Sequence, residues 1–215
     1  GLDRLSEDID VNLERGVLEE TDLFDWVCQY FENDLFGKLI LFARRPQRLY
    51  LKFAVLRELG LAGLSDSDLL YIKLETAITE TVSDHFVQYH PLFKNGKSMV
   101  IRSYSLPVLM AGKMSAILER TWFKGKQNEI TVKGRDYYDL IWYLQHNVQP
   151  DQAWCKERLG LETEQLWEKV DAKVAKLNSQ QFLADMRNFH PNPEFLQNLA
   201  EHFQQIYREL RNNFR

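Results

Sequence analysis

Apolar side chains recur along this chain with two different periods, and the change between them restricts the possible folds. In the first two thirds, alternating segments such as 9–13 (IDVNL) and 70–77 (LYIKLETA) occur among helical ones. Alternation is typical of strands buried on one face, whereas apolar residues three or four positions apart indicate helices. After Pro150 only the helical period remains. The pattern predicts an α+β chain with strands and helices over 1–147 and a helical C-terminal domain over 148–215.

Ten segments carry a recognisable pattern. Strands are predicted at 9–13, 38–43, 70–77 and 98–104, and 48–55 is open to either a strand or a helix. Helices are predicted at 22–36, 107–121, 135–145, 163–177 and 193–210. Pro107 suits the first turn of its helix, and Asn192 followed by Pro193 is a typical helix start.

The composition excludes several classes of protein. With 45% hydrophobic and 27% charged residues in 215, the chain is neither disordered nor collagen-like and can bury a substantial core. Cys28 and Cys155 form neither a disulfide framework nor a zinc motif, which indicates a reducing compartment. No apolar run approaches the roughly 20 residues of a membrane span, and the acidic start is unlike a signal peptide. We therefore expect a cytoplasmic protein with no membrane partner.

The net charge of −4 conceals an uneven distribution. Residues 1–37 carry 2 basic and 11 acidic side chains, whereas 38–57 carry 6 basic and no acidic ones. Residues 94–135 carry 9 basic and 2 acidic side chains. The two basic stretches are either solvated loops or a positive surface that holds a polyanion while carboxylates hold a metal.

Two predicted strands carry carboxylates that could bind a metal. Asp8 and Asp10 are two positions apart, so they share a strand face, and their repulsion favours a neutralising cation such as Mg²⁺. Glu75 shares a face with Lys73 and could supply the third carboxylate of a two-metal cluster. Taken alone, these residues also fit an exposed acidic strand end and a surface Lys73–Glu75 pair.

Two predicted helices carry the other candidate residues. Lys113 and Arg120 are seven positions apart and lie on nearly one face, where they could bind a triphosphate or extend from a packed helix into solvent. Asp136 and Asp139 share a face of the next helix, and Arg135 can pair with Asp139. Asp136 also suits the first helical turn, where its charge complements the helix dipole.

In this order the segments resemble the AbiEii/AbiGii toxin family of nucleotidyltransferases. The resemblance covers residues 1 to 145 and rests on RLSEDID at 4–10, ELGL at 58–61, YIKLET at 71–76, SLPVLMAGKMSAILERTW at 105–122 and KGRDYYDLIWYL at 133–144. The last two blocks are the most specific. The resemblance implies a minimal nucleotidyltransferase fold, with a mixed sheet and flanking helices, and a toxin–antitoxin role in abortive infection or phage defence.

The resemblance also implies roles for individual residues. The expected catalytic residues are Asp8, Asp10, Lys113 and Asp136. The expected metal ligands for Mg²⁺ or Mn²⁺ are Asp8, Asp10 and Glu75. The residues expected to support substrate binding are Ser6, Lys73, Arg120, Arg135 and Asp139. The implied partners are an NTP, an RNA acceptor such as a tRNA 3′ end, and a cognate antitoxin.

One feature departs from the family pattern. The family carries a Gly-Gly or Gly-Ser pair well before its D-x-D segment, whereas this sequence begins seven residues before Asp8. We therefore expect either a preceding segment in a longer toxin or a truncated, catalytically impaired relative that binds an antitoxin or a nucleic acid. The second case predicts a partner that covers an exposed sheet edge. A metal-dependent phosphatase or nuclease that uses the same carboxylates is a further alternative.

Overall fold

The computed structural model describes residues 4, 8–33, 39–80, 82–94 and 96–214. The chain forms two compact units, which we call the sheet unit (Ser6–Val82) and the helical unit (Gly1–Leu5 with Ser83–Arg215). A mixed sheet in the first and a helical C-terminal half confirm the predicted α+β class. The division into domains at residues 147 and 148 stays a prediction.

The sheet unit contains four strands and one helix. These elements are β1 (Asp8–Glu14), α1 (Glu20–Asn33), β2 (Leu39–Arg45), β3 (Arg48–Ala54) and β4 (Leu69–Thr79). The strand order is β1-β4-β3-β2, with β1 parallel to β4 and the other pairs antiparallel. The ambiguous segment 48–55 is therefore a strand, and the sheet is mixed, as expected.

Strand alternation gives this sheet an apolar and a polar face. Leu49, Leu51 and Leu74 lie on the apolar face, where they pack with Phe24 and Cys28 of α1. Successive strand residues point to opposite faces. The polar face therefore carries four candidate metal-binding and substrate-binding residues of this unit, namely Asp8, Asp10, Lys73 and Glu75.

The helical unit begins with a β-hairpin and continues as helices. Its elements are β5 (Val87–Lys94), β6 (Lys97–Tyr104), α2 (Leu106–Glu119), α3 (Gly134–Gln145), α4 (Gln152–Trp154), a π-helical segment Cys155–Leu159, α5 (Thr163–Val174), α6 (Ser179–Met186) and α7 (Pro193–Asn213). The predicted β6, α2, α3, α5 and α7 are confirmed. The pattern did not predict β5, α4, the π-helical segment or α6.

One hydrophobic core joins the main helices of this unit. Its fully buried side chains include Met110 and Met114 of α2, Leu140 of α3, Leu166 of α5 and Phe203 of α7. Burial of these residues fixes the faces that α2 and α3 present to each other. The polar residues of those two helices are thereby held at defined positions.

Both cysteines are free and buried, as expected for a chain without a disulfide framework. Within the described ranges, no helix combines the length and the apolar character needed to cross a membrane.

Gly134 begins α3 at a point where α6 approaches closely. A Cβ atom at this position would lie 2.8 Å from the Phe182 carbonyl oxygen and 3.0 Å from Met186 Cγ. Because the carbonyl belongs to the backbone of a packed helix, we expect Gly134→Ala to lower the free energy of unfolding by about 1–3 kcal/mol in urea denaturation. Gly112→Ala is the control, since its Cβ would meet only a Trp154 ring carbon at 3.9 Å. Equal stability of the two variants would contradict the expected clash.

Candidate active site

The polar face of the sheet unit holds a cluster of charged side chains, which we call the strand cluster (Asp8, Asp10, Arg48, Lys73 and Glu75). The parallel register of β1 and β4 places Asp8 beside Lys73 and Asp10 beside Glu75. Lys73 Nζ lies 2.9 Å from the Asp8 carboxylate and 3.2 Å from that of Glu75. Arg48 of β3 reaches Glu75 at 2.8 Å. The predicted strand faces thus bring the candidate residues of this unit together.

The charged form of Lys73 is stabilised in this position. Burial lowers the pKa of Lys73, but hydrogen bonds to Asp8 and Glu75 outweigh it, so that the pKa is raised above its usual range. Lys73 therefore neutralises part of the negative charge of the strand cluster. Glu75 is further neutralised by Arg48, which leaves Asp10 as the member with an exposed carboxylate.

The carboxylates of β1 suit a magnesium ion. In the part of the chain that the structure describes, no three His, Cys, Asp or Glu side chains lie close enough to hold a metal. Mg²⁺ needs only one or two carboxylates, because water and phosphate oxygens complete its coordination. Asp8 and Asp10 fit that requirement as a pair, and the role of Glu75 as a third ligand stays a prediction.

A cleft of about 220 Å³ opens beside these residues in the sheet unit. Its lining includes Asp10, Asn12, Gln47, Arg48, Glu75 and Thr76. The cleft combines carboxylate oxygens with one guanidinium. It therefore offers oxygen ligands to a cation and a positive group to a phosphate on the same surface.

The helical unit holds a second group of charges, built on two buried carboxylates. The side chains of Asp136 and Asp139 are each only 2% exposed. Lys113 Nζ lies 3.0 Å from Asp136 and 2.9 Å from Asp139. Arg120 donates a hydrogen bond of 2.6 Å to Asp136. The structure therefore brings four candidate residues together. They are Lys113 of α2, Arg120 directly after α2, and Asp136 and Asp139 of α3.

Sequence reasoning missed a fifth member of this group, Arg4. Its Nε and Nη2 donate hydrogen bonds of 2.6 and 2.7 Å to the two oxygens of Asp139. Burial lowers the pKa of Arg4, but the hydrogen bonds to Asp139 and the charge of Asp139 outweigh burial, so the pKa lies above its usual value. The first motif, RLSEDID, contains Arg4, yet the two residues are 135 positions apart and no spacing rule connects them. We call Arg4, Lys113, Arg120, Asp136 and Asp139 the charge cluster.

Positive charge exceeds negative charge around this cluster. Burial lowers the pKa of Lys133; Asp136 opposes this effect, and the charge of Arg120 adds to it. The Lys133 ammonium lies 5.0 Å from the centre of the Trp122 ring. A second nearby cation, Arg135, stacks 4.1 Å above the Phe189 ring. Such a surplus of cations over two carboxylates favours a bound anion.

Two further residues were predicted to support substrate binding. Arg135 lies against Phe189, and its predicted pairing with Asp139 stays a prediction. Ser6, a predicted substrate-binding residue, lies outside the described residues.

The family model described as Nucleotidyl transferase AbiEii toxin, Type IV TA system, matches residues 1–214. The chain belongs to the AbiEii family. The predicted family is thereby confirmed, and with it the nucleotidyltransferase class and the toxin–antitoxin context. AbiEii membership implies an NTP substrate and a cognate antitoxin. The chain matches none of the curated proteins with which it was compared.

Proposed function

We propose that this AbiEii-family chain is a Mg²⁺-dependent enzyme that transfers a nucleotide from an NTP to an RNA acceptor, a tRNA 3′ end in particular. The observation that carries the proposal is the charge cluster. Its two carboxylates are buried, whereas the side chains of Lys113 and Arg120 are 24% and 37% exposed. Buried partners fix the direction of these two cations, and their exposed parts remain available to phosphate oxygens.

Lys113 and Arg120 bind the NTP phosphates in this proposal. The acceptor hydroxyl oxygen forms a bond to the α-phosphorus and its proton passes to water, while the bond from that phosphorus to the β-phosphate oxygen breaks and pyrophosphate leaves with the electron pair. Negative charge therefore grows on the departing phosphates, where positioned cations stabilise it. Asp136 already accepts contacts from both cations. Its role is to orient Lys113 and Arg120 rather than to take the acceptor proton.

Asp8 and Asp10 are the residues that would hold Mg²⁺ or Mn²⁺. When bound, such an ion neutralises phosphate charge and helps to align the reacting oxygens. Lys73 fixes the Asp8 carboxylate from the neighbouring strand at 2.9 Å. Arg48 and Lys73 together hold Glu75 on the same face. The strand cluster is therefore a rigid arrangement in which one carboxylate, that of Asp10, stays open to solvent.

Labelling with each of the four α-phosphate-labelled NTPs, in the presence of Mg²⁺ and total RNA, tests the proposed function. We expect at least one NTP to transfer its label to RNA with release of pyrophosphate. Shortened RNA without label would indicate a nuclease instead. Absence of label with every NTP would contradict nucleotide transfer, and a thermal-shift scan with NTP and Mg²⁺ would then show whether the chain still binds nucleotides.

Asp10→Asn tests the metal-binding role. Loss of one of two carboxylates removes half of the negative charge offered to the ion, so we expect the Mg²⁺ concentration for half-maximal transfer to rise about tenfold or more. Asp22→Asn is the matched control, because Asp22 is an exposed acid in α1 of the same unit. An unchanged Mg²⁺ dependence of Asp10→Asn would exclude Asp10 as a ligand.

A further inference from the structure

We propose that a row of three lysines in the helical unit binds the backbone of the acceptor RNA and leads it towards the charge cluster. The row consists of Lys169 and Lys173 of α5 and Lys176 in the turn that follows this helix. We call these residues the lysine row. The proposal rests on the proposed function, since it assigns a binding surface to the acceptor of that reaction.

The spacing and the surroundings of the lysine row leave its charge available. Intervals of four and three residues place the three side chains on one face, over about 10 Å at 1.5 Å per residue. All three residues are exposed. The ion pairs found among the described residues include none of them. Three unneutralised cations in line therefore face solvent.

The lysine row borders a groove of about 560 Å³. Three leucines, Leu118, Leu159 and Leu161, contribute apolar lining. Glu119 is the carboxylate in this lining, and it accepts a hydrogen bond from the Ser115 hydroxyl. The lysines can meet the phosphates of a nucleic-acid strand that lies along this groove, while its sugars contact the leucines.

Lys173 connects this groove to the charge cluster. It also lines a smaller cleft together with Arg120, Trp122, Lys133 and Asp136. The indole N–H of Trp122 is buried, and the described part of the chain provides no acceptor for it. An RNA strand that follows the lysine row would therefore reach Arg120, Lys133 and the Trp122 indole. These groups lie beside the residues proposed to bind the NTP.

Charge and length favour RNA over other occupants of the groove. The negative charges of one nucleic-acid strand recur every few ångströms, so a row of cations over about 10 Å can meet several phosphates. Each contact between a lysine and a phosphate releases counterions, which makes binding depend on salt. The proposal therefore predicts the size of a salt effect as well as a loss of affinity.

The test compares the wild-type chain with Lys169→Gln/Lys173→Gln/Lys176→Gln by fluorescence anisotropy. The probe is an RNA hairpin with a single-stranded 3′ end, titrated at several salt concentrations. We expect weaker binding and a slope of log K against log salt that is smaller by about 2, at about 0.7 per lost contact with a single strand. The NTP-induced thermal shift should stay unchanged. The triple Lys→Arg variant should bind as the wild type does.

A charge-matched control separates this surface from net charge. Lys156→Gln/Arg187→Gln/Arg208→Gln removes three exposed cations of the helical unit, of which Lys156 already pairs with Glu162. It should leave the salt slope nearly unchanged. If the lysine-row variant binds RNA with the affinity and slope of this control, the proposal is overturned, and an acidic protein partner becomes the better explanation of the row.

Transfer kinetics distinguish failure of this proposal from failure of the proposed function. If the wild-type chain labels RNA, the lysine-row variant should have a KM for RNA that is about tenfold higher and a kcat within about twofold of the wild-type value. If the wild type labels no RNA, the proposed function fails. The salt slope of the wild type and its variant then still decides whether the lysine row binds RNA.

Discussion

Lys113→Ala should lower nucleotide transfer about a thousandfold or more and abolish growth inhibition by the toxin. Loss of a single preorganised donor that stabilises developing charge costs about 100- to 1,000-fold, and loss of a phosphate-binding cation costs more. Lys113 contacts both Asp136 and Asp139. The measurement is the rate of label transfer at saturating NTP, together with colony counts after induction.

The fold should survive this substitution, because each buried carboxylate keeps an arginine. Asp136 retains Arg120 at 2.6 Å and Asp139 retains Arg4 at 2.6 Å. Thermal denaturation should therefore show a much smaller effect than the transfer assay. Lys156→Ala, which removes an exposed lysine of the same unit, should leave transfer unchanged. Wild-type transfer and toxicity in Lys113→Ala would refute the role of this lysine in phosphate binding.

Sequence periodicity predicted the elements that carry a clear apolar period and missed those that are short or interrupted. β4 alternates in sequence, with its buried residues Leu74 and Thr76 two positions apart, and α7 carries apolar residues at helical spacing along its whole length. β5 has no such pattern, because seven of its eight residues are exposed and Pro91 interrupts it. α6 spans only eight residues, too few for a clear period. A long, uninterrupted period thus made an element predictable, because β6 was predicted although six of its eight residues are exposed.

Spacing rules also predicted faces within an element better than contacts between elements. The shared face of Asp8 and Asp10 follows from strand geometry alone, whereas Arg120 lies just after α2 and meets Lys113 through Asp136. The pairing of Arg4 with Asp139 depends instead on tertiary packing, which local spacing does not encode. The same holds for Arg48 and Glu75, whose contact depends on the register between β3 and β4.

Charge summed along the chain was informative only where the charges are also close in space. The basic stretch 94–135 contains Lys113, Arg120, Lys133 and Arg135, which surround the buried carboxylates. The lysine row, by contrast, belongs to residues 151–215, where 9 basic and 10 acidic side chains nearly cancel. The acidic residues next to these lysines in sequence lie on other faces of α5, because neighbouring residues of a helix point in different directions. A segment average therefore concealed the surface proposed to bind RNA.

Asp139→Ala should lower the free energy of unfolding by about 3–5 kcal/mol, the usual cost of breaking a buried ion pair from one side. The side chains of Arg4 and Asp139 are 10% and 2% exposed, so the arginine would lose both hydrogen bonds to Asp139 in a largely dry environment. For a chain of this length such a loss corresponds to a melting temperature lower by about 10 °C. Calorimetry or urea denaturation measures the effect.

Asp25→Ala provides a matched comparison for burial. Arg44 and Asp25 also lie 2.6 Å apart, but their side chains are 38% and 59% exposed, so the loss should be about 1 kcal/mol or less. The double variant Arg4→Leu/Asp139→Leu should recover part of the stability, because it leaves no buried charge without its partner. If Asp139→Ala costs no more stability than Asp25→Ala and yet abolishes transfer, Asp139 acts on the substrate and is not a structural anchor of the charge cluster.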